Sequence, residues 1–253
     1  MSVQSTKGVV DVVFCLDASG SMAPCIDGLR KSLDVFLDAL AGDANRKIDC
    51  RLDFLAHSCD ESGDLVRSKS LNLSGIDLVQ ALYGQSPNPS AFFTTDREAI
   101  RRSLRNVDVY GDEAMLMALD MALDFPWRPQ AGCHRVVVML TDEPLEANAL
   151  WRMQQANLDA LIDKIQKLGV KLYLVGPESP GLDTLSEADK CLYQKVTQTY
   201  DGLGSLDFNK VLGQIGKSVS VSVLQGRPEA GVKRALFGQD QWIASGESIR
   251  GGR

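Results

Sequence analysis

The stretch VVDVVFCLDASGSM, residues 9–22, decides the fold. Residues 9–16 are an almost unbroken apolar run rich in β-branched side chains, as expected of a strand covered on both faces. Its one internal charge is Asp11. The run passes directly into Asp17-Ala18-Ser19-Gly20-Ser21, and then Ile26, Leu29, Leu33, Phe36, Leu37 and Leu40 recur at helical spacing, with Gly42 as a C-cap. A buried strand leading through a Gly/Ser loop into an amphipathic helix is the first half of a βαβ unit.

The same alternation continues outward. Residues 48–56 alternate like a half-buried strand, and residues 65–68 add a short edge strand. The Ser, Asn, Gly and Pro content of residues 68–94 predicts a loop with one short helix over 76–83. Thr95 and Glu98 form a capping box for a helix ending at Leu104, and a second helix over 113–125 stops before Pro126. HRVVVMLT, residues 134–141, is the second buried strand. A long amphipathic helix over 146–168, closed by Gly169, leads to a third buried strand over 170–175. Helices over 186–198 and 206–221 follow. The order predicts an α/β class: a Rossmann-like open, mostly parallel sheet flanked by helices on both faces, spanning residues 1–224. Residues 225–253, rich in Gly, Gln and Arg, read as a C-terminal tail that is flexible or docks elsewhere. In such sheets ligands lie beyond the carboxyl ends of the strands, near a topological switch point. Acidic residues stand at two such ends, Asp17 and Asp142.

Composition narrows the function. The chain has 253 residues, 44% hydrophobic and 24% charged, which suits a globular unit with a sizeable core. A net charge of −6 argues against a nucleic-acid partner. No window is apolar enough for a membrane helix, and no signal-peptide pattern opens the chain, so a cytoplasmic protein is expected. The six cysteines, at 15, 25, 50, 59, 133 and 191, form no C-x-x-C pair and are expected to be reduced; only Cys50 and Cys59 would be candidates for pairing. No Walker A, G-x-G-x-x-G, H-E-x-x-H or G-x-S-x-G sequence is present.

Asp17, Ser19 and Ser21 alternate along an extended loop, so one carboxylate and two hydroxyls converge there. Oxygen donors of this kind are what a hard cation such as Mg²⁺ requires. The same residues also suit an ordinary Asx/Ser turn capping the next helix. What favours the cation is the position, directly after the most buried strand.

Here the chain resembles a known family. VDVVFCLDASGSM is similar to the first strand and metal-ion-dependent adhesion site of von Willebrand factor A domains, also called integrin I-like domains. RVVVMLTDEP resembles their fourth strand with its Thr-Asp end, and VYGDEAMLMALDMAL their Gly-rich loop and helix, in the style of bacterial intracellular members. The resemblance spans residues 8–220 in order. It implies that Asp17, Ser19 and Ser21 ligate a cation, Mg²⁺ or alternatively Mn²⁺ or Ca²⁺, together with Asp142. Many members have threonine in the second loop, where this chain offers Asp112 and Glu113. Either is a ligand or a helix cap by sequence, and an acidic ligand would tighten metal binding while making the metal less electrophilic. The implied function is not catalysis but recognition: an open metal position accepts a carboxylate from a partner protein, for which family analogy offers an AAA+ ATPase, a kinase or a protease. His57 and Asp60, in an HSCDES loop, and Trp242 in the tail are the candidate partner contacts. The alternatives are a metal-dependent hydrolase or phosphotransferase on the same scaffold, or a degenerate metal-free scaffold. Aspartyl-phosphate chemistry wants a second carboxylate at position 19, which is serine.

Overall fold

Strand β1 (Gly8–Asp17) lies inside the sheet, as its double-sided burial requires. Val10, Val12, Phe14 and Leu16 face one helical layer, and Val13 and Cys15 face the other. β2 (Ile48–Cys59) and β4 (His134–Leu140) flank it in parallel register. Beyond β4 come β5 (Val170–Gly176) and β6 (Cys191–Lys195), also parallel. The edges are antiparallel: β3 (Val66–Ser70) on β2, and β7 (Ile243–Ala244) on β6. The seven-stranded order is β3-β2-β1-β4-β5-β6-β7. The chain therefore builds one side of β1 first and then crosses to the other, which puts the switch point between the carboxyl ends of β1 and β4. The structure, a computed structural model, describes residues 8–41, 48–60, 66–85, 87–148, 150–197, 202–225 and 243–244.

Helices cover both faces. α1 (Ala23–Ala41), α3 (Arg97–Leu104) and α8 (Phe208–Gln225) pack on the Phe14 side. There Phe14 and Phe36 meet edge-on at 5.3 Å, a contact worth about 0.5–1.5 kcal/mol beyond the buried area. α2 (Gly75–Tyr83), α4 (Met115–Leu123), α6 (Leu158–Leu168) and α7 (Pro180–Leu185) pack on the Val13 side. Among the described residues no helix is long and apolar enough to cross a membrane.

Two buried carboxylates hold the frame. Asp11, at the amino end of β1, is fully buried and receives Arg51 Nε at 2.9 Å and Nη2 at 2.6 Å, plus Arg128 Nε at 2.8 Å and the Arg128 backbone N–H at 2.9 Å. Burial pushes its pKa up, but the hydrogen bonds from Arg51 and Arg128 outweigh that and hold it below the usual range. Asp53, inside β2, accepts backbone N–H groups from Phe54 (2.7 Å), Leu71 (3.1 Å) and Phe93 (2.8 Å). It thereby holds Phe93 in a left-handed conformation at φ 57°.

Several expectations change. β2 extends three residues past Ala56, so His57 belongs to the strand and not to a loop; it is 1% exposed. The predicted Thr95 cap gives way to Asp96, whose side chain accepts from the Glu98 N–H. The long helix over 146–168 is broken into a 3-10 turn (Leu145–Ala147), α5 (Trp151–Gln155) and α6. The reason is Glu146, whose carboxylate accepts from Ser179 Oγ and the Gly181 N–H and so ties this stretch to the start of α7. Gly169 does close α6, at φ 64°. The helix expected over 186–198 is replaced by a turn and β6, because the open edge of β5 offers Cys191–Lys195 a hydrogen-bonding partner that outweighs local propensity. Cys50 and Cys59 stand near opposite ends of β2, about 30 Å apart at strand rise, so they cannot be bridged. Gly42, Leu65 and Trp242 lie outside the described residues; of the tail, only Ile243–Ala244 is described, as β7.

Replacing Asp53 with asparagine turns a triple acceptor into a group that presents N–H to at least one buried N–H. Asp53→Asn is expected to lower unfolding free energy by about 1–3 kcal/mol in urea titration, and an unchanged midpoint would refute this role.

Candidate metal centre

The site forms at the switch point. β1 delivers Asp17 at its last position and β4 delivers Asp142 two residues past its end. The third member, Glu113, comes from the loop ahead of α4. One carboxylate oxygen from each of Asp17, Glu113 and Asp142 lies within 4.8 Å of the others, and the three residues are 0%, 5% and 4% exposed.

The first loop does form an Asx turn: the Ser19 N–H donates to Asp17 Oδ1 at 2.7 Å. Thr141, just after β4, donates from Oγ1 to Asp17 Oδ2 at 3.3 Å. Ser19 stands at the start of the Gly20–Met22 turn but makes no side-chain cap; its hydroxyl lies 3.2 Å from that of Ser21, which is exposed and marks the mouth of the site. The hydroxyls are thus not spent on the following helix, as the turn reading would have it. The Ser19 N–H favours the charged form of Asp17 but only partly offsets its burial.

The second loop depends on Gly111. Its φ is 86°, and a Cβ there would stand 1.9 Å from the backbone oxygen of Cys59. This close approach lets Asp112 pair with Cys59 across two backbone hydrogen bonds, of 2.9 and 2.8 Å, which tie the loop to the end of β2. Glu113 is then turned into the cluster. Asp112 instead accepts the Glu113 N–H at 2.9 Å, and α4 begins after Ala114 without a side-chain cap. Of the two acidic candidates, Glu113 joins the cluster, and neither caps α4.

The electrostatics differ from those of Asp11. Burial pushes Asp17 well above the usual carboxylate range, and the charge of Asp142 adds to it. Glu113 is raised by burial, by its hydrogen bond with Asp112 and by Asp17. Asp142 is raised by burial against a lowering contact from Ser21, and Glu143 by burial and then by Asp142 and Asp112. Two buried oxygens, Glu113 Oε2 and Asp142 Oδ1, have no hydrogen-bond partner among the described residues. Carboxylate pairs at this separation repel by roughly 3 kcal/mol each at an effective dielectric constant of about 20. Buried, crowded and unpaired carboxylate oxygens beside two hydroxyls fit a hard divalent cation.

The predicted partner contacts divide. His57 is buried with Nδ1 at 2.7 Å from Ser68 Oγ, and burial lowers its pKa to about 4, so it offers no surface. Asp60 is half-buried directly after β2, beside the Gly111 turn, and so stays on the rim of the site. The sequence reading overlooked Tyr110. It is 57% exposed, its N–H donates to the Ala18 carbonyl at 2.8 Å, and Arg67 stacks 4.7 Å above its ring. An exposed aromatic just before a Gly-Asp turn was the available signal.

Gly111→Ala is expected to cost at least about 1 kcal/mol in urea titration and to displace Glu113, whereas Gly20→Ala, at an exposed position with open space around it, leaves stability unchanged. Equal midpoints for the two variants would refute the role given to Gly111.

No family model matches the chain, and no curated protein matches it. Solved structures do. The chain is similar to a von Willebrand factor type A protein from Catenulispora acidiphila, with 14% identity and a TM-score of 0.54 over 83% of this chain and 43% of that one. It is similar to the pilus adhesin SpaC from Lactobacillus rhamnosus GG, in an open conformation, with 14% identity and a TM-score of 0.52 over 87% and 31%. It is also similar to the human COPII-coat protein Sec24c, with 12% identity and a TM-score of 0.53 over 85% and 33%. The chain spans less than half the length of each of these. At such identities the likeness is one of architecture, and the chain has a von Willebrand factor A-like fold.

Proposed function

We propose that this chain is a cation-dependent protein-binding module. Asp17, Ser19, Ser21, Glu113 and Asp142 hold a divalent cation of the Mg²⁺ type. The observation that carries the reading is the buried cluster of three carboxylates in which Glu113 Oε2 and Asp142 Oδ1 lack any partner. Within β1 the chain shows what it does with a buried carboxylate when no cation is intended, since Asp11 has two arginines. A bound cation supplies the missing positive charge and an open coordination position for a partner's carboxylate. The chain's own groups do the rest. Thr141 fixes the orientation of Asp17, Gly111 aims Glu113, and the exposed Ser21 keeps the mouth accessible.

We read the site as binding and not catalytic, with magnesium as the first choice of ion and manganese or calcium as substitutes. The gathered groups are acids and hydroxyls, and Ser19, where aspartyl-phosphate chemistry wants an acid, bonds to Ser21. The fold is one that often carries metal-dependent protein interactions. A cytoplasmic setting and an AAA+ ATPase, kinase or protease as partner remain part of this proposal.

Calorimetric titration of Mg²⁺ or Mn²⁺ into the metal-free protein is expected to show one saturable site that Asp17→Ala abolishes. At about a hundredfold excess over Kd the cation stabilises the fold by about 2.7 kcal/mol. Asp17→Asn separates charge from packing. Without metal it is at least as stable as the parent, because a carboxylate whose charged form burial and Asp142 disfavour is gone, yet it gains nothing from Mg²⁺. A parent that neither binds nor is stabilised by either ion refutes the reading.

The pH dependence follows from the raised carboxylates. Protons that the metal-free site holds must leave when the cation enters, so affinity tightens as pH rises from about 6 to about 8 and binding releases protons. Titration in buffers of different ionisation enthalpy measures that release; proton uptake, or none, contradicts it.

A further inference from the structure

Beside the candidate metal loop lies an open-sided groove of about 360 Å³ between the start of α1 and the segment that follows α3. Its size is at the lower end of ligand clefts. Ile26 and Leu104 are buried in its floor, while Val107 and Val109 stay half-exposed along it. Arg105 is exposed on its rim, and its guanidinium makes no ion pair among the described residues; Asp27 on the other wall is paired with Arg30 and Lys31.

Both walls of the groove lead directly out of the metal loop along the chain. Ala23, on one wall, follows Ser21 by two residues. Val109, on the other, precedes Tyr110, whose N–H is bonded to the Ala18 carbonyl within the loop. A chain segment whose carboxylate sits at the mouth beside Ser21 therefore runs on into an apolar trough and then past a free guanidinium.

We infer that this groove is the specificity pocket of the module, and that its occupant is an extended segment of a partner protein. That segment carries the ligating Asp or Glu, then a bulky apolar side chain for the space between Ile26, Leu104, Val107 and Val109, then a second acid for Arg105. The inference rests on the proposed cation-dependent binding. Charge favours this occupant: on a chain of net charge −6, the cation and Arg105 are the local features that attract an acidic segment. The apolar trough supplies what a carboxylate alone lacks, because one charged contact does not discriminate among the many acidic side chains of other proteins.

The test pans a random dodecapeptide phage library on the full-length chain in Mg²⁺ and releases bound phage with EDTA. The released pool is expected to be enriched in peptides with an acid and a bulky apolar residue at fixed spacing. A synthetic peptide from that pool is then measured against the parent, Asp17→Ala, Val109→Asp and Arg105→Glu, each also titrated with Mn²⁺ alone. Both groove variants should bind Mn²⁺ like the parent but lose at least about tenfold in peptide affinity. If they bind the peptide as well as the parent while Asp17→Ala does not, the groove inference is overturned and the metal reading stands. A pool with no such pattern, from a parent that binds Mn²⁺ normally, overturns it as well. A parent that fails to bind Mn²⁺ removes the metal reading, and the groove inference falls with it.

Discussion

A carboxylate buried in a sheet must be satisfied by positive charge, by N–H donors or by a proton, and this molecule is organised around the two ends of one strand where that demand is met differently. At the amino end of β1, Asp11 is satisfied from within by Arg51 and Arg128; Arg128 also donates to the carbonyls of Val10 and Asp49 and so joins neighbouring strands to the loop ahead of β4. At the carboxyl end, Asp17 meets Glu113 and Asp142, which add to its charge. The two ends thus treat a buried carboxylate in opposite ways within ten residues of sequence. One end closes the frame, and the other gathers an excess of carboxylates whose charged forms burial and mutual repulsion oppose.

The frame makes that excess tolerable. Parallel register places the ends of β1 and β4 side by side, so the loops carrying Asp17 and Asp142 are neighbours although far apart in sequence. The loop carrying Glu113 is anchored separately, by the pairing of Asp112 with Cys59 that the positive φ of Gly111 permits. Each carboxylate is therefore positioned by backbone pairing of the segment that carries it and not by the other two. A cluster built this way keeps its repelling members together at the expense of the fold.

Much of this could be read from residues alone where a signal was local. The three central strands β1, β4 and β5, the helix α1 and the Asp17-Ser19-Ser21 loop all follow from unbroken apolar runs or helical spacing. The failures share a cause. Residues 146–168 have the periodicity of one helix, but Glu146 finds partners at Ser179 and Gly181 that lie more than thirty positions away. Cys191–Lys195 becomes a strand because β5 presents an open edge, and His57 is buried because β3 and its Ser68 pair beside it. None of those partners is visible within a local window.

By itself the sequence determined the fold class, the placement of an acidic loop after the most buried strand, and a set of oxygen donors suited to a hard cation. These rest on short-range patterning, in which apolar period and loop composition act within a few residues. Only the tertiary structure put Glu113 and not Asp112 among the clustered carboxylates, withdrew His57 from the surface, placed Tyr110 and the Ile26–Val109 groove beside the loop, and left two carboxylate oxygens without partners among the described residues. The physical reason is that burial, desolvation and hydrogen-bond satisfaction are properties of what surrounds a group, and for these residues the surroundings come from distant segments brought together by the sheet.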